Sequence, residues 1–166
     1  MRLLSVISFL IASICLLIPA AMIKLPSEYL PWTPLNLNAP INFLTSYKLS
    51  RLASSPDACY MALTASDVTF RRLPDHKVGG CELQNMVARD KSFYPYSSSV
   101  HATCPMIASF ILWENQILKP ASLRHFSSDI ARIEQLGIFA CRKVRNSSNR
   151  LSQHATANAI DISGFQ

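Results

Sequence analysis

The chain contains no Cys-x-x-Cys pair, no run of Lys or Arg interleaved with aromatics, no internal repeat and no low-complexity tract. The first absence argues against a zinc site built from paired cysteines. The second removes the usual footprint of a nucleic-acid binder. The other two leave an ordinary folded domain rather than a solenoid or a disordered tail. Charge is also missing from Leu3 to Ile23, with Arg2 the cation before it. As a helix, that run would span roughly 30 Å, about the thickness of a bilayer's hydrocarbon core. An uncleaved anchor over residues 1–24 is therefore expected. A cleaved secretory signal is the alternative, but Pro19-Ala20-Ala21 offers a poor cleavage site. Cys15 does not mark a lipoprotein, because Ile14 stands where a small residue is needed.

Either reading exports the remainder of the chain. Cys59, Cys81, Cys104 and Cys141 all lie beyond the apolar run. Four cysteines in an oxidising compartment predict two disulfides, with three possible pairings that spacing does not separate. Apart from Arg2, the Lys and Arg exceed the ten acidic residues by five, a modest positive balance. It suits anionic cell-wall polymers or lipid headgroups, and equally a plain solvated surface.

With 166 residues the chain has room for one domain. Residues 25–44 hold Pro26, Pro31, Pro34 and Pro40, and residues 24–40 hold no glycine, which predicts a semi-extended spacer. Tyr29 and Trp32 suit either a membrane interface or a contact with the domain. From residue 45 onward a small mixed α+β domain is expected. Helices are predicted around Tyr47–Leu52 and through Cys59–Leu63, broken at Ser54-Ser55-Pro56-Asp57. Short strands are predicted at Val68–Phe70 and Asn85–Val87, with turns at Pro74 and Gly79-Gly80. Pro105 starts a stronger helix with Ile107, Phe110, Ile111 and Trp113 on one face, and Pro120 closes or kinks it. Ile130–Leu136 reads as helix or strand, and Gly137–Cys141 as a strand leading to the most informative segment.

That segment is Ser152-Gln153-His154-Ala155-Thr156-Ala157-Asn158-Ala159-Ile160-Asp161-Ile162. His154 falls in a loop or turn. Asp161 sits in an alternating stretch whose isoleucines face a core, leaving the carboxylate on the other side beside Ala159. An imidazole and a carboxylate brought together this way suit a zinc ion, and Ser152 is placed to orient the histidine. A hydrogen-bonded structural pair is the alternative. Ser152 and His154 do not make a hydrolase triad, since no nucleophile elbow surrounds the serine. Arg142, Lys143, Arg145 and Arg150 form a basic patch just before the segment, either a solvated loop or a contact for anionic polymer.

Cys141-Arg142 followed by Leu151-Ser152-Gln153-His154-Ala155 and Asn158-Ala159-Ile160-Asp161-Ile162 resembles the bacterial extensin-like C-terminal domain family. That family shows Tyr-Ala-Cys-Arg and then Leu-Ser-Glu-His-Ala-x-Gly-Asn-Ala-x-Asp-Ile. Weaker likeness runs through Trp32-Thr33-Pro34-Leu35-Asn36-Leu37, Cys59-Tyr60, Cys81 and Cys104-Pro105. The motif is in turn similar to that of zinc D-alanyl-D-alanine carboxypeptidases. The resemblance implies that His154 and Asp161 are zinc ligands and that Arg142 is a cation facing substrate. It implies peptidoglycan stem peptides as partner, and an inner-membrane protein whose domain lies on the periplasmic side. Gln153 replaces the family's Glu and Ala157 its glycine. Where that position needs positive φ, alanine costs on the order of 1 kcal/mol. The carboxypeptidases complete their site with a downstream histidine and a downstream Glu base, yet no histidine follows His154. His76, His101 and His125 match no ligand position. The resemblance therefore predicts an incomplete site, in a fragment or in a protein that has lost catalysis. A non-catalytic envelope-binding module is the competing function.

Overall fold

A computed structural model describes residues 6–7, 11–13 and 25–166. Most of the expected 1–24 anchor lies outside the described residues. Among those described, no helix is long and apolar enough to cross a membrane.

Helix α1 spans Thr45–Ser54 and buries Thr45, Lys48 and Leu52, a helical spacing that gives it one inward face. Helix α2, Pro56–Ala65, starts where Ser55 accepts a hydrogen bond from the Ala58 amide, with Pro56 in the first turn. Helix α3, Cys104–Trp113, carries Pro105 in its first turn as expected and buries Ile107, Ala108, Ile111 and Leu112. These three helices share one core with Leu83, Met86, Val87, Val100 and Ala102. Leu35 and Leu37 join it from the proline-containing stretch before α1. Ser66 hooks that stretch in place, accepting from the Leu37 amide at 2.8 Å and donating to the Ala62 carbonyl at 2.8 Å. Lys48 is a second tie, donating to the Thr33 hydroxyl at 3.0 Å; burial lowers its pKa, only partly offset by Glu28.

Strands β1 (Phe70–Arg72), β4 (Met86–Arg89) and β5 (Val100–Thr103) form an antiparallel sheet in the order β1-β4-β5. Between β1 and β4 a separate hairpin pairs β2 (His76–Val78) with β3 (Cys81–Leu83). Its turn is Gly79-Gly80, and both glycines take positive φ, 57° and 85°, which a side chain would resist. The third sheet pairs β6 (Ile133–Gly137) with β7 (Asp161–Phe165), interrupted by register shifts after Glu134 and Gln135. The domain is thus a small mixed α+β fold. Its two disulfides are Cys59–Cys104, joining α2 to the start of α3, and Cys81–Cys141.

Two expectations are corrected. Pro120 does not end the long helix. A π-helical turn, Glu114–Leu118, widens the helix just before it, and helix α4 continues through Lys119–Phe126. The wide turn absorbs the hydrogen bond that a proline nitrogen cannot make. The strand expected over Gly137–Cys141 is not one: β6 ends at Gly137, and Ile138–Cys141 leave the sheet to bond elsewhere. Ile130–Leu136 resolves toward strand, with Ile133 fully buried in a second small core beside Tyr94 and Leu118.

Candidate functional site

Ser152 opens a 3-10 turn, Gln153–Thr156, by accepting from the His154 amide at 3.3 Å. The serine therefore shapes the backbone. The ring of His154 is aimed by a different group: Nδ1 lies 2.9 Å from the Ile138 carbonyl oxygen. The Ala140 amide returns a bond to the His154 carbonyl at 3.1 Å. The segment that leaves β6 thus grips the histidine from both sides.

Asp161 opens β7. The isoleucines on either side divide between the cores, Ile160 packing against the larger and Ile162 against the smaller. The carboxylate between them points outward, with its side chain 61% exposed, while His154 is 13% exposed. Nε2 of His154 stands 3.4 Å from Oδ1 of Asp161. The Ile138 carbonyl can only accept, so Nδ1 carries a proton, and in the neutral ring Nε2 presents a lone pair to a carboxylate oxygen. Two acceptors face each other, and only a proton on Nε2 or a cation between them makes the approach favourable.

Zinc meets this donor set. Ligands about 2.0–2.1 Å from a tetrahedral zinc stand about 3.3–3.4 Å apart, and a ligating histidine commonly donates its other N–H to a backbone carbonyl. The ligand number falls short, because among the described residues no group of three or more His, Cys, Asp or Glu gathers. His76, His101 and His125 are exposed and belong to other elements, β2, β5 and α4.

Thr103 at the end of β5 locks the turn to the sheet. Its amide donates to the Ala157 carbonyl at 3.1 Å, and its hydroxyl to Asn158 Oδ1 at 2.7 Å. Asn158 donates to Gln153 Oε1 at 2.8 Å, an acceptor's role that glutamine fills as well as glutamate. Ala157 is fully buried with φ 53° and ψ 37°, the left-handed conformation that favours glycine. Arg142 reaches the neighbourhood through its backbone, its carbonyl accepting from the Ser152 amide at 3.0 Å, and its residue is exposed.

The model described as "Extensin-like protein C-terminus" matches residues 57–166. The chain belongs to that family. The matched stretch of this extensin-like domain holds all four disulfide cysteines, Arg142, His154 and Asp161. No curated protein and no solved structure matches the chain.

The extensin-like domain also holds a buried cluster that sequence reasoning missed. Arg89, ending β4, donates from Nη1 and Nη2 to the two carboxylate oxygens of Glu114 at 2.9 and 2.7 Å. The Tyr96 hydroxyl donates to the same carboxylate. Side-chain exposure is 4% for Arg89 and 0% for Glu114, and Arg89 Nε is buried without a partner. Burial and the neighbouring carboxylate push the Tyr96 phenol far above the ordinary tyrosine range. Tyr94, buried and bonded to Asp129 at 2.7 Å, is raised for the same two reasons. No signal in the sequence points there, since the π-helical turn that Glu114 opens shows only in the fold.

Proposed function

We propose that the chain is an exported, membrane-anchored cell-envelope protein whose His154–Asp161 pair holds a zinc ion in a partial peptidase-like site directed at peptidoglycan peptides. The observation that carries this reading is the 3.4 Å approach of Nε2 to the Asp161 carboxylate while Nδ1 is committed to Ile138. When bound, zinc supplies Lewis acidity toward a peptide carbonyl. The chain's own residues do the rest. Ile138 holds the ring and its tautomer, Asp161 offers an exposed carboxylate, and Arg142 presents a guanidinium to a substrate carboxylate. Clefts lined by other residues, such as Trp32, Leu35 and Met61, lie apart from the pair, which sits at the surface. A surface pair suits an extended polymer better than a small ligand, which needs a deep pocket. Two formed disulfides support an oxidising compartment, and the uncharged run from Leu3 to Ile23 supports the anchor.

The second reading, a wall-binding module without hydrolysis, is favoured by the two-ligand count among the described residues. Purified peptidoglycan separates the two. Zinc-dependent co-sedimentation that weakens in Arg142→Ala supports the site. Release of D-alanine or of cleaved cross-links makes it an enzyme, and binding with no release makes it a module. Absence of co-sedimentation at low salt, with and without zinc, contradicts both.

A further inference from the structure

We propose that the Cys81–Cys141 disulfide positions His154, and that its reduction frees the histidine while the rest of the domain stays folded. The backbone that aims the ring is Ile138 to Ala140, and the next residue is Cys141. A covalent bond thus fastens the end of the histidine's cradle to β3, and through it to the β2–β3 hairpin. The remaining ties of that cradle are the packing of Ile138 into the larger core and the Ala140–His154 bond. Ile138 is the one residue of the four that is buried, at 7% exposure. The loop beyond Cys141 is held by a few backbone bonds, Val144 to Arg150 and Ser147 to Val144 within it and Ser152 to Arg142 at its return to the histidine's turn.

The two disulfides differ in access. Cys59 and Cys104 are both fully buried in the larger core. Cys141 is exposed, and its Sγ lies beside the Gly79 carbonyl at the tip of the hairpin. An added Cβ at Gly80 would meet nothing within 4 Å, so the turn there is open. Cys141 is the one disulfide cysteine exposed to solvent, so a thiolate approaches this bond more readily than the core pair. The exchange balances with an external dithiol as reductant. Its thiolate bonds to Cys141 Sγ, and Cys81 leaves as a thiolate that takes a proton. The reagent's second thiol then attacks the mixed disulfide, frees Cys141 as a thiol and closes the reagent into its cyclic disulfide. Two electrons pass from reagent to protein. Without the cross-link, the Ile138 carbonyl is no longer held against Nδ1 and the ring loses its imposed tautomer.

The effect on zinc rests on the function proposed for the His154–Asp161 pair; the effect on the ring does not. The test uses the full chain with labelled histidine, as wild type and as the double variant Cys81→Ala/Cys141→Ala. Far-UV circular dichroism reports the fold, ring 15N shifts report the His154 tautomer, and zinc titration reports the site. In graded dithiothreitol, alkylation with mass spectrometry is expected to label Cys81 and Cys141 about tenfold faster than Cys59 and Cys104, as access dictates. The double variant is expected to keep its circular dichroism and lose the Nδ1–H preference. An unchanged tautomer in the folded variant overturns the proposal, as does a variant that unfolds or equal labelling of all four cysteines. A tautomer change in a protein that takes up no zinc leaves the positioning role intact and removes the zinc reading instead.

Discussion

Glu114→Gln keeps the shape of a fully buried side chain and removes its charge, leaving the Arg89 guanidinium buried against a neutral amide. Both oxygens of Glu114 are engaged by Arg89, and Tyr96 donates to one of them as well. Arg89 has only 4% of its side chain in contact with solvent and already has an unpartnered Nε, so it has no alternative acceptor. Removing one partner of such a pair costs about 3–5 kcal/mol. Small domains hold about 5–15 kcal/mol in all, so the variant keeps a fraction of its stability. Urea denaturation followed by fluorescence of Trp113 and Trp32 measures the loss as a shift in midpoint at unchanged slope. The double replacement Arg89→Met/Glu114→Leu is expected to recover most of it, because an apolar pair of similar volume often matches a buried ion pair. A Glu114→Gln domain within about 1 kcal/mol of wild type would mean that Arg89 is not stranded by the loss of its carboxylate.

Ala157→Gly relieves a left-handed alanine worth about 1–2 kcal/mol, but gives up a buried methyl worth about 0.8 kcal/mol and loosens the unfolded chain by about 0.4–1 kcal/mol. The terms nearly cancel, so denaturation is expected to place this variant within about 1 kcal/mol of wild type; a loss above about 2 kcal/mol would show that packing dominates. Tyr94 and Tyr96 keep their protons above the ordinary tyrosine range in the folded protein. Above about pH 10 the folded state therefore binds more protons than the unfolded chain, and stability falls as pH rises. Phenolate absorbance is expected to show these two tyrosines ionising only as the domain unfolds, and a separate early ionisation of Tyr96, identified by its absence in Tyr96→Phe, would contradict that.

What the sequence made legible was local. Pro105 announced α3 and Gly79-Gly80 announced a turn, because each depends on the chemistry of one or two residues. The break read over Ser54–Asp57 is narrower, since α2 already starts at Pro56. The short exposed strand β2 and its partner β3 on either side of the turn carried no pattern to read. The motif from Ser152 to Ile162 was legible as a histidine and a carboxylate, and alternation placed Asp161 outward between two inward isoleucines. The group that aims His154 was not legible. It is a backbone carbonyl, at Ile138, and carbonyls carry no residue signature. The same segment reads as a strand because Ile138-Phe139-Ala140 is apolar, yet its polar backbone serves the histidine instead of β6. Arg89 and Glu114 escaped for another reason: each looks like a surface charge in its own element, and only the fold brings β4 against the π-helical turn.

On the function proposed above, His154 and Asp161 together hold a metal. The most direct measurement is zinc bound per chain after dialysis against micromolar zinc, by atomic emission, for wild type, His154→Ala and Asp161→Asn. With only two protein ligands among the described residues, wild type is expected to bind weakly and both variants to bind none. Equal zinc in wild type and His154→Ala would show that the pair does not hold the metal.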